Sequence, residues 1–82
     1  MKKIYALSDK LDNSISMHFI GGEGASDAAI LRSVRAQFKD HYAVKDLSLV
    51  SVGTIYDTGL IAGSEPIVIG ELYSNSDTIE NA

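Results

Sequence analysis

Ser26-Asp27-Ala28-Ala29-Ile30-Leu31-Arg32-Ser33-Val34-Arg35-Ala36-Gln37-Phe38-Lys39 decides the fold, because its apolar residues return at helical spacing. Ile30, Leu31, Val34 and Phe38 fall at i, i+1, i+4 and i+8 and form one apolar face. Arg32, Arg35 and Lys39 lie on the opposite face, with Ala29 and Ala36 between. Ser26 or Asp27 stands where a side chain can accept a bond from an orphan N–H of the first turn. The pattern ends at Asp40-His41. One amphipathic helix is predicted, over about Asp27 to Lys39.

Working outward, strands are expected on both sides. Lys3 to Ser8 alternates loosely, and Asp9 to Asn13 is a turn-forming cluster. Ile15, Met17 and Phe19 then alternate with Ser16 and His18, the period of a half-buried strand. These two segments make a first hairpin, and Gly21-Gly22-Glu23-Gly24-Ala25 carries the chain to the helix. Beyond the helix, Leu47 to Ile55 reads as a strand and Pro66 to Tyr73 as its partner, with Pro66 at the first strand position. Tyr56-Asp57-Thr58-Gly59 is the turn signal between them, and Leu60 to Glu65 either extends the hairpin or forms a longer loop.

The order is therefore ββαββ, an α+β domain over residues 1–73 with a polar tail at residues 74–82. A small antiparallel sheet is expected with the single helix packed on one face. In the third strand Leu47 and Leu49 oppose Val50 and Val52; in the fourth, Ile67 and Ile69 oppose Val68 and Leu72. One helix covers one face only. Apolar residues on both faces imply either a second surface covered by another subunit or a bulge near Leu49–Val50.

Composition bounds the function. With 82 residues there is room for one core, and with no cysteine there is no disulfide to support it, so a homodimer is the expected staple. No apolar run approaches the roughly 20 residues of a membrane span. The basic start, Met1-Lys2-Lys3, is interrupted by Ser8, Asp9 and Lys10 before an apolar signal region forms. A reducing cytoplasm is the expected compartment. The formal net charge of −4 argues against a sequence-independent coat on nucleic acid but leaves room for a local basic stripe.

Few constellations carry chemistry. The glycine run lacks the third glycine of the dinucleotide fingerprint and any Gly-Lys-Ser/Thr, and Glu23 and Asp27 would repel a phosphate. His18 and His41 have neither a partner histidine at i+4 nor a nearby cysteine, so neither a metal nor a cofactor is expected. No nucleophile–base signature is present, and the chain is read as non-enzymatic. The stripe Arg32, Arg35, Lys39 is the nucleic-acid candidate, with Lys2, Lys3 and Lys10 extending it from the first hairpin. Tyr5, Tyr42, Tyr56 and Tyr73 offer rings for base stacking wherever they are exposed. The plainer alternative is a solvated helix face.

The whole layout, from Lys2 to Leu72, resembles the small nonstructural proteins of gokushovirus-type Microviridae, the single-stranded DNA phages. The resemblance rests on Lys3-Ile4-Tyr5-Ala6-Leu7-Ser8-Asp9, then Phe19, then Asp27-Ala28-Ala29-Ile30-Leu31-Arg32 closing on Phe38. It continues through Asp46-Leu47-Ser48-Leu49, Val52-Gly53, Asp57-Thr58-Gly59 and Pro66. The Gly21–Ala25 run and the tail depart from that pattern. The resemblance implies a nonstructural protein in the cytoplasm of the infected bacterial host, associated with phage DNA replication or single-strand synthesis. It supplies no catalytic residues.

Two functions are expected in consequence. The first is a DNA-binding accessory in which Arg32, Arg35 and Lys39 contact phosphates of single-stranded DNA, supported by Lys2 and Lys3. The second is a module that binds a host or phage protein of replication or defence through an exposed sheet face or edge. Its acidic charge suits a basic partner or DNA mimicry.

Overall fold

The computed structural model describes residues 1–73, so the polar tail at residues 74–82 lies outside the described residues. The chain runs β1 (Lys2–Asp9), β2 (Ser14–Ile20), α1 (Asp27–Phe38), a 3-10 turn (Val44–Asp46), β3 (Leu47–Ile55) and β4 (Ile61–Glu71). The four strands form one antiparallel sheet in the order β2-β1-β3-β4. This is the expected α+β fold. Because β1 pairs antiparallel with both β2 and β3, those two outer neighbours run parallel to each other. The helix that joins them therefore crosses over β1.

Local chemistry sets the turns. Between β1 and β2, Asp9 Oδ1 accepts the Leu11 N–H at 2.9 Å and Asp12 Oδ1 accepts the Ser14 N–H at 3.1 Å. Asn13, at φ 60°, takes the left-handed position that asparagine tolerates. Ser26 is the helix N-cap, its Oγ accepting the Ala29 N–H at 3.1 Å, which leaves Asp27 for another role. Gly59 turns the second hairpin at φ 91°.

The core lies between the helix and the middle strands. Tyr5 and Leu7 of β1, Leu47 and Leu49 of β3, Val34 of the helix, Val44 and Leu72 are buried together. Ile30, Leu31 and Phe38 pack against them half-buried, as their spacing requires. A fully buried leucine such as Leu49 contributes roughly 1.5–3 kcal/mol by leaving water.

Four register shifts change the strand readings. In β2 the pairing jumps from Tyr5↔Phe19 to Leu7↔Ser16, and Met17 at the jump adopts φ 56°. Phe19 consequently faces the helix while Ile15, opposite Ser8, faces away. The regular alternation expected of Ile15, Met17 and Phe19 is broken by this bulge. In β3, Val52 is the extra residue against β1, lying between Ile4↔Gly53 and Tyr5↔Ser51.

The fourth strand begins at Ile61, five residues before Pro66, so Leu60–Glu65 belongs mostly to the hairpin. Pro66 is tolerated inside β4 because the strand is at the sheet edge and its pairing breaks between Ser51↔Ile67 and Gly53↔Gly63. The missing N–H falls where no ladder bond is required. Another shift between Leu49↔Gly70 and Val50↔Val68 gives the bulge that the sequence offered as an explanation for two apolar faces.

On the helix-free face, Ala6, Val50 and Val68 form one row across β1, β3 and β4. Ala6 and Val50 are buried within the single chain, whereas Val68 at the edge is 66% exposed. The apolar second face is therefore partly satisfied without a partner.

Gly53 shows how tightly β3 and β4 meet: a Cβ there would stand 2.5 Å from the Ala62 carbonyl oxygen. Gly53→Ala is expected to destabilise the fold by about 1–3 kcal/mol, read as a lower urea midpoint with unchanged slope. Gly22, with nothing within 4 Å of its Cβ position, serves as the control and tolerates alanine.

Candidate functional site

The helix presents its basic residues from its middle to its C-terminal end. At 3.6 residues per turn, Arg32, Arg35 and Lys39 fall within about 60° of one another. Arg32 and Lys39 are exposed and Arg35 is half-buried. Arg35 Nε donates to the Glu71 carbonyl oxygen at 3.0 Å, which ties the stripe to the end of β4. Among the described residues none of the three is ion-paired. Positive charge in the last helical turn also complements the helix dipole, which is the purely structural reason for it.

The cations of the first hairpin are placed differently. Lys3 Nζ lies 3.0 Å from both Asp27 carboxylate oxygens, at the helix N-terminus. Asp27 and Lys39 are separated by about 18 Å of helix. Lys2 is exposed and unpaired among the described residues, but it belongs to the same end as Lys3. Lys10 is ion-paired with Glu71. The five residues named from sequence therefore form two groups: Arg32–Arg35–Lys39, running from the middle of the helix to its C-terminal end, and Lys2–Lys3, beside its start.

The end bearing Lys2 and Lys3 is also rich in acids. The Met1 amine sits 2.9 Å from Asp57 and 3.4 Å from Glu23. Tyr5 Oη donates to Asp27 Oδ1 at 2.7 Å. Burial first, and then the bond to Asp27, push the Tyr5 phenol up to about 12. The same bond, with Lys3 beside it, holds the Asp27 carboxyl below its ordinary value. The Lys10 ammonium likewise lowers Glu71. At the helix start the Met1 amine, Lys2 and Lys3 balance Glu23, Asp27 and Asp57, whereas Arg32, Arg35 and Lys39 have no acidic partner among the described residues.

The aromatic residues separate in the same way. Tyr5 is buried and its ring stacks on Phe19 at 5.5 Å between centroids. Tyr73 has Lys45 Nζ over its ring at 5.2 Å. Tyr42 is 95% exposed and stacks on His41, with 4.6 Å between centroids. The sequence named Tyr42 only as one of four tyrosines; its place three residues beyond Lys39 was the available signal.

A groove of about 380 Å³ runs between the helix and the first hairpin, lined mainly by Leu7, Met17, Phe19, Ile30, Val34 and Phe38. It was not legible in the sequence, because the Met17 bulge that shapes one wall breaks the period on which strand reading depends. Among the described residues no three His, Cys, Asp or Glu side chains gather as metal ligands. No helix of the described residues is long and apolar enough to cross a membrane.

The Tyr5–Asp27 pair imposes a pH dependence. Asp27 has a folded value below its unfolded value, so its carboxylate stabilises the fold above about pH 4 and that contribution disappears on further acidification. The Tyr5 phenol has a raised folded value, so its contribution is present below about pH 10 and is lost as pH rises through about 12. Asp27→Asn should lower the thermal midpoint at pH 6, and the gap from the parent should narrow as the pH falls below about 4.

Comparisons with family models, curated proteins and solved structures gave no match to this chain.

Proposed function

We propose that this chain is a non-enzymatic accessory protein of a single-stranded DNA phage, acting in viral DNA replication or single-strand synthesis in the cytoplasm of the infected bacterium. Its helix contacts single-stranded DNA, with Arg32, Arg35 and Lys39 on the phosphates. The observation that carries this reading is the stripe itself: three cations on one side of α1, none ion-paired among the described residues. Resemblance to the gokushovirus-type nonstructural proteins supports the biological setting. Lys2 and Lys3 lie too far along the helix to share a phosphate with Lys39, so their support is limited to a longer strand that spans α1.

The acidic excess limits affinity. With a net charge of −4, only a local patch attracts phosphate, and binding should fall steeply with salt. Arg32→Ala combined with Arg35→Ala removes two phosphate contacts. The slope of log affinity against log salt should flatten by about 1.4, at roughly 0.7 per contact for single strands. A salt titration of parent and variant reads this directly. Absence of binding by the parent at low salt would end the nucleic-acid reading.

A second reading is favoured by a different observation. β4 is an edge strand, and Ile67 and Val68 within it are 60% and 66% exposed. An open edge with flanking apolar side chains is a template for strand addition. The chain then works as a protein-interaction module on a host or phage replication or defence factor, and the acidic surface suits a basic partner. Pairing of β4 with a second copy about a two-fold axis forms the homodimer expected from the chain's small core. Ile67→Lys with Val68→Lys should convert a dimeric parent to monomer in sedimentation equilibrium while leaving the circular dichroism unchanged. A parent that sediments as monomer removes the homodimer.

A further inference from the structure

The end of α1 leads into a short aromatic ladder. Phe38, packed against the core, lies 5.2 Å from the His41 ring, and His41 in turn stacks on Tyr42 at 4.6 Å with 25° between planes. The ladder is held by hydrogen bonds on both sides of the histidine. Its backbone N–H donates to the Phe38 carbonyl at 2.9 Å, and its Nδ1 accepts the Ala43 N–H at 3.1 Å. The imidazole is thereby fixed as an acceptor at Nδ1, and its ring is oriented before any ligand arrives.

Tyr42 at the outer end is 95% exposed. Such a ring forgoes the burial that stabilises Tyr5, while the stack on His41 keeps one of its faces ordered. Tyr56 and Tyr73 are less than half as exposed, and Tyr73 already carries Lys45 on its face. Arg32 to Lys39 spans about 10 Å of helix, and Tyr42 follows three residues later, so cations and exposed ring succeed one another along the chain. Asp40 is the one acid between Lys39 and Tyr42.

Alternation of a cationic track with an exposed aromatic ring is how nucleic-acid single strands are held: phosphates on the charges, an unpaired base on the ring. We propose that Tyr42, braced by His41, is a base-stacking platform that gives the basic face of α1 a preference for single-stranded over duplex DNA. In a duplex both faces of an internal base are already covered by its neighbours, so only an unpaired base can reach the ring. The proposal rests on the nucleic-acid reading of α1 and specifies which form of DNA that face selects.

The test uses the full chain, an oligothymidylate of about 20 nucleotides and a duplex of equal length, both at low salt. Tyr42→Ala should weaken single-strand binding about tenfold, or about 1.4 kcal/mol, with duplex affinity and salt slope unchanged. Tyr42→Phe, which keeps the ring, should retain the parent's single-strand affinity. Because Tyr42 is exposed, the unfolding midpoint should not move in either variant. A parent that binds single strand and duplex equally overturns the proposal. So does a Tyr42→Ala variant that retains the parent's single-strand affinity, and both results leave phosphate binding by α1 standing. A parent that binds neither form overturns the nucleic-acid reading together with the platform.

Discussion

The hydrogen bond from Tyr5 to Asp27 is the contact on which the arrangement of sheet and helix depends. Tyr5 sits in β1, the strand that the crossover must pass, and its ring fills the space beside Gly21 where β2 gives way to the helix. A Cβ at Gly21 would stand 2.6 Å from that ring. The phenol reaches the first residue of α1, where a carboxylate is already favoured by the helix dipole. Lys3 completes the cluster from two residues earlier on the same strand, and therefore from the same side of β1. One buried ring thus fixes where the helix begins and how closely it lies over the sheet.

Once its start is fixed, the rest of the helix has limited freedom. Leu31 meets Gly70 on β4, and Arg35 bonds to the carbonyl of Glu71, so its middle is anchored at the far side of the sheet. Anchored there, the helix leaves a groove between itself and the first hairpin, while the strand order leaves β4 with an open outer edge. The anchoring also places the basic stretch of α1 away from the acids around Met1, Glu23 and Asp57. An acidic protein can keep a positive face only by such separation, since at physiological salt charges more than about 8 Å apart are largely screened from one another. The same geometry underlies both functional readings, one on the helix and one on the open strand.

The bulges explain where strand reading succeeded and where it failed. Leu47–Ile55 follows from a run of apolar residues whose central members are buried on both faces, and its limits match the expected ones. Ile15, Met17 and Phe19 have the alternating pattern, yet Met17 takes a left-handed conformation and the alternation is lost. Nothing in the side chain of a methionine announces a positive φ. Pro66 signals a strand start by its chemistry, but a proline is equally satisfied at an irregular edge, and the tertiary position of β4 decided between the two.

Sequence alone determined the helix, its cap region, the two hairpins and the core residues Val34, Leu47, Leu49 and Leu72, because these follow from side-chain period and turn chemistry over a few residues. It also placed Arg32, Arg35 and Lys39 on one side of α1, since helical geometry leaves no choice. Strand order was not legible: nothing local says that β1 rather than β2 pairs with β3. The fate of each charge depended on the same long-range pairing, which brought Asp27 to Lys3 and Glu71 to Lys10 while leaving the helix cations without acidic partners among the described residues. Tyr5 and Tyr42 are the same residue type, and only the fold decided which ring became core and which was left in water. Burial is a property of what the rest of the chain covers, and that is settled by contacts between residues distant in sequence.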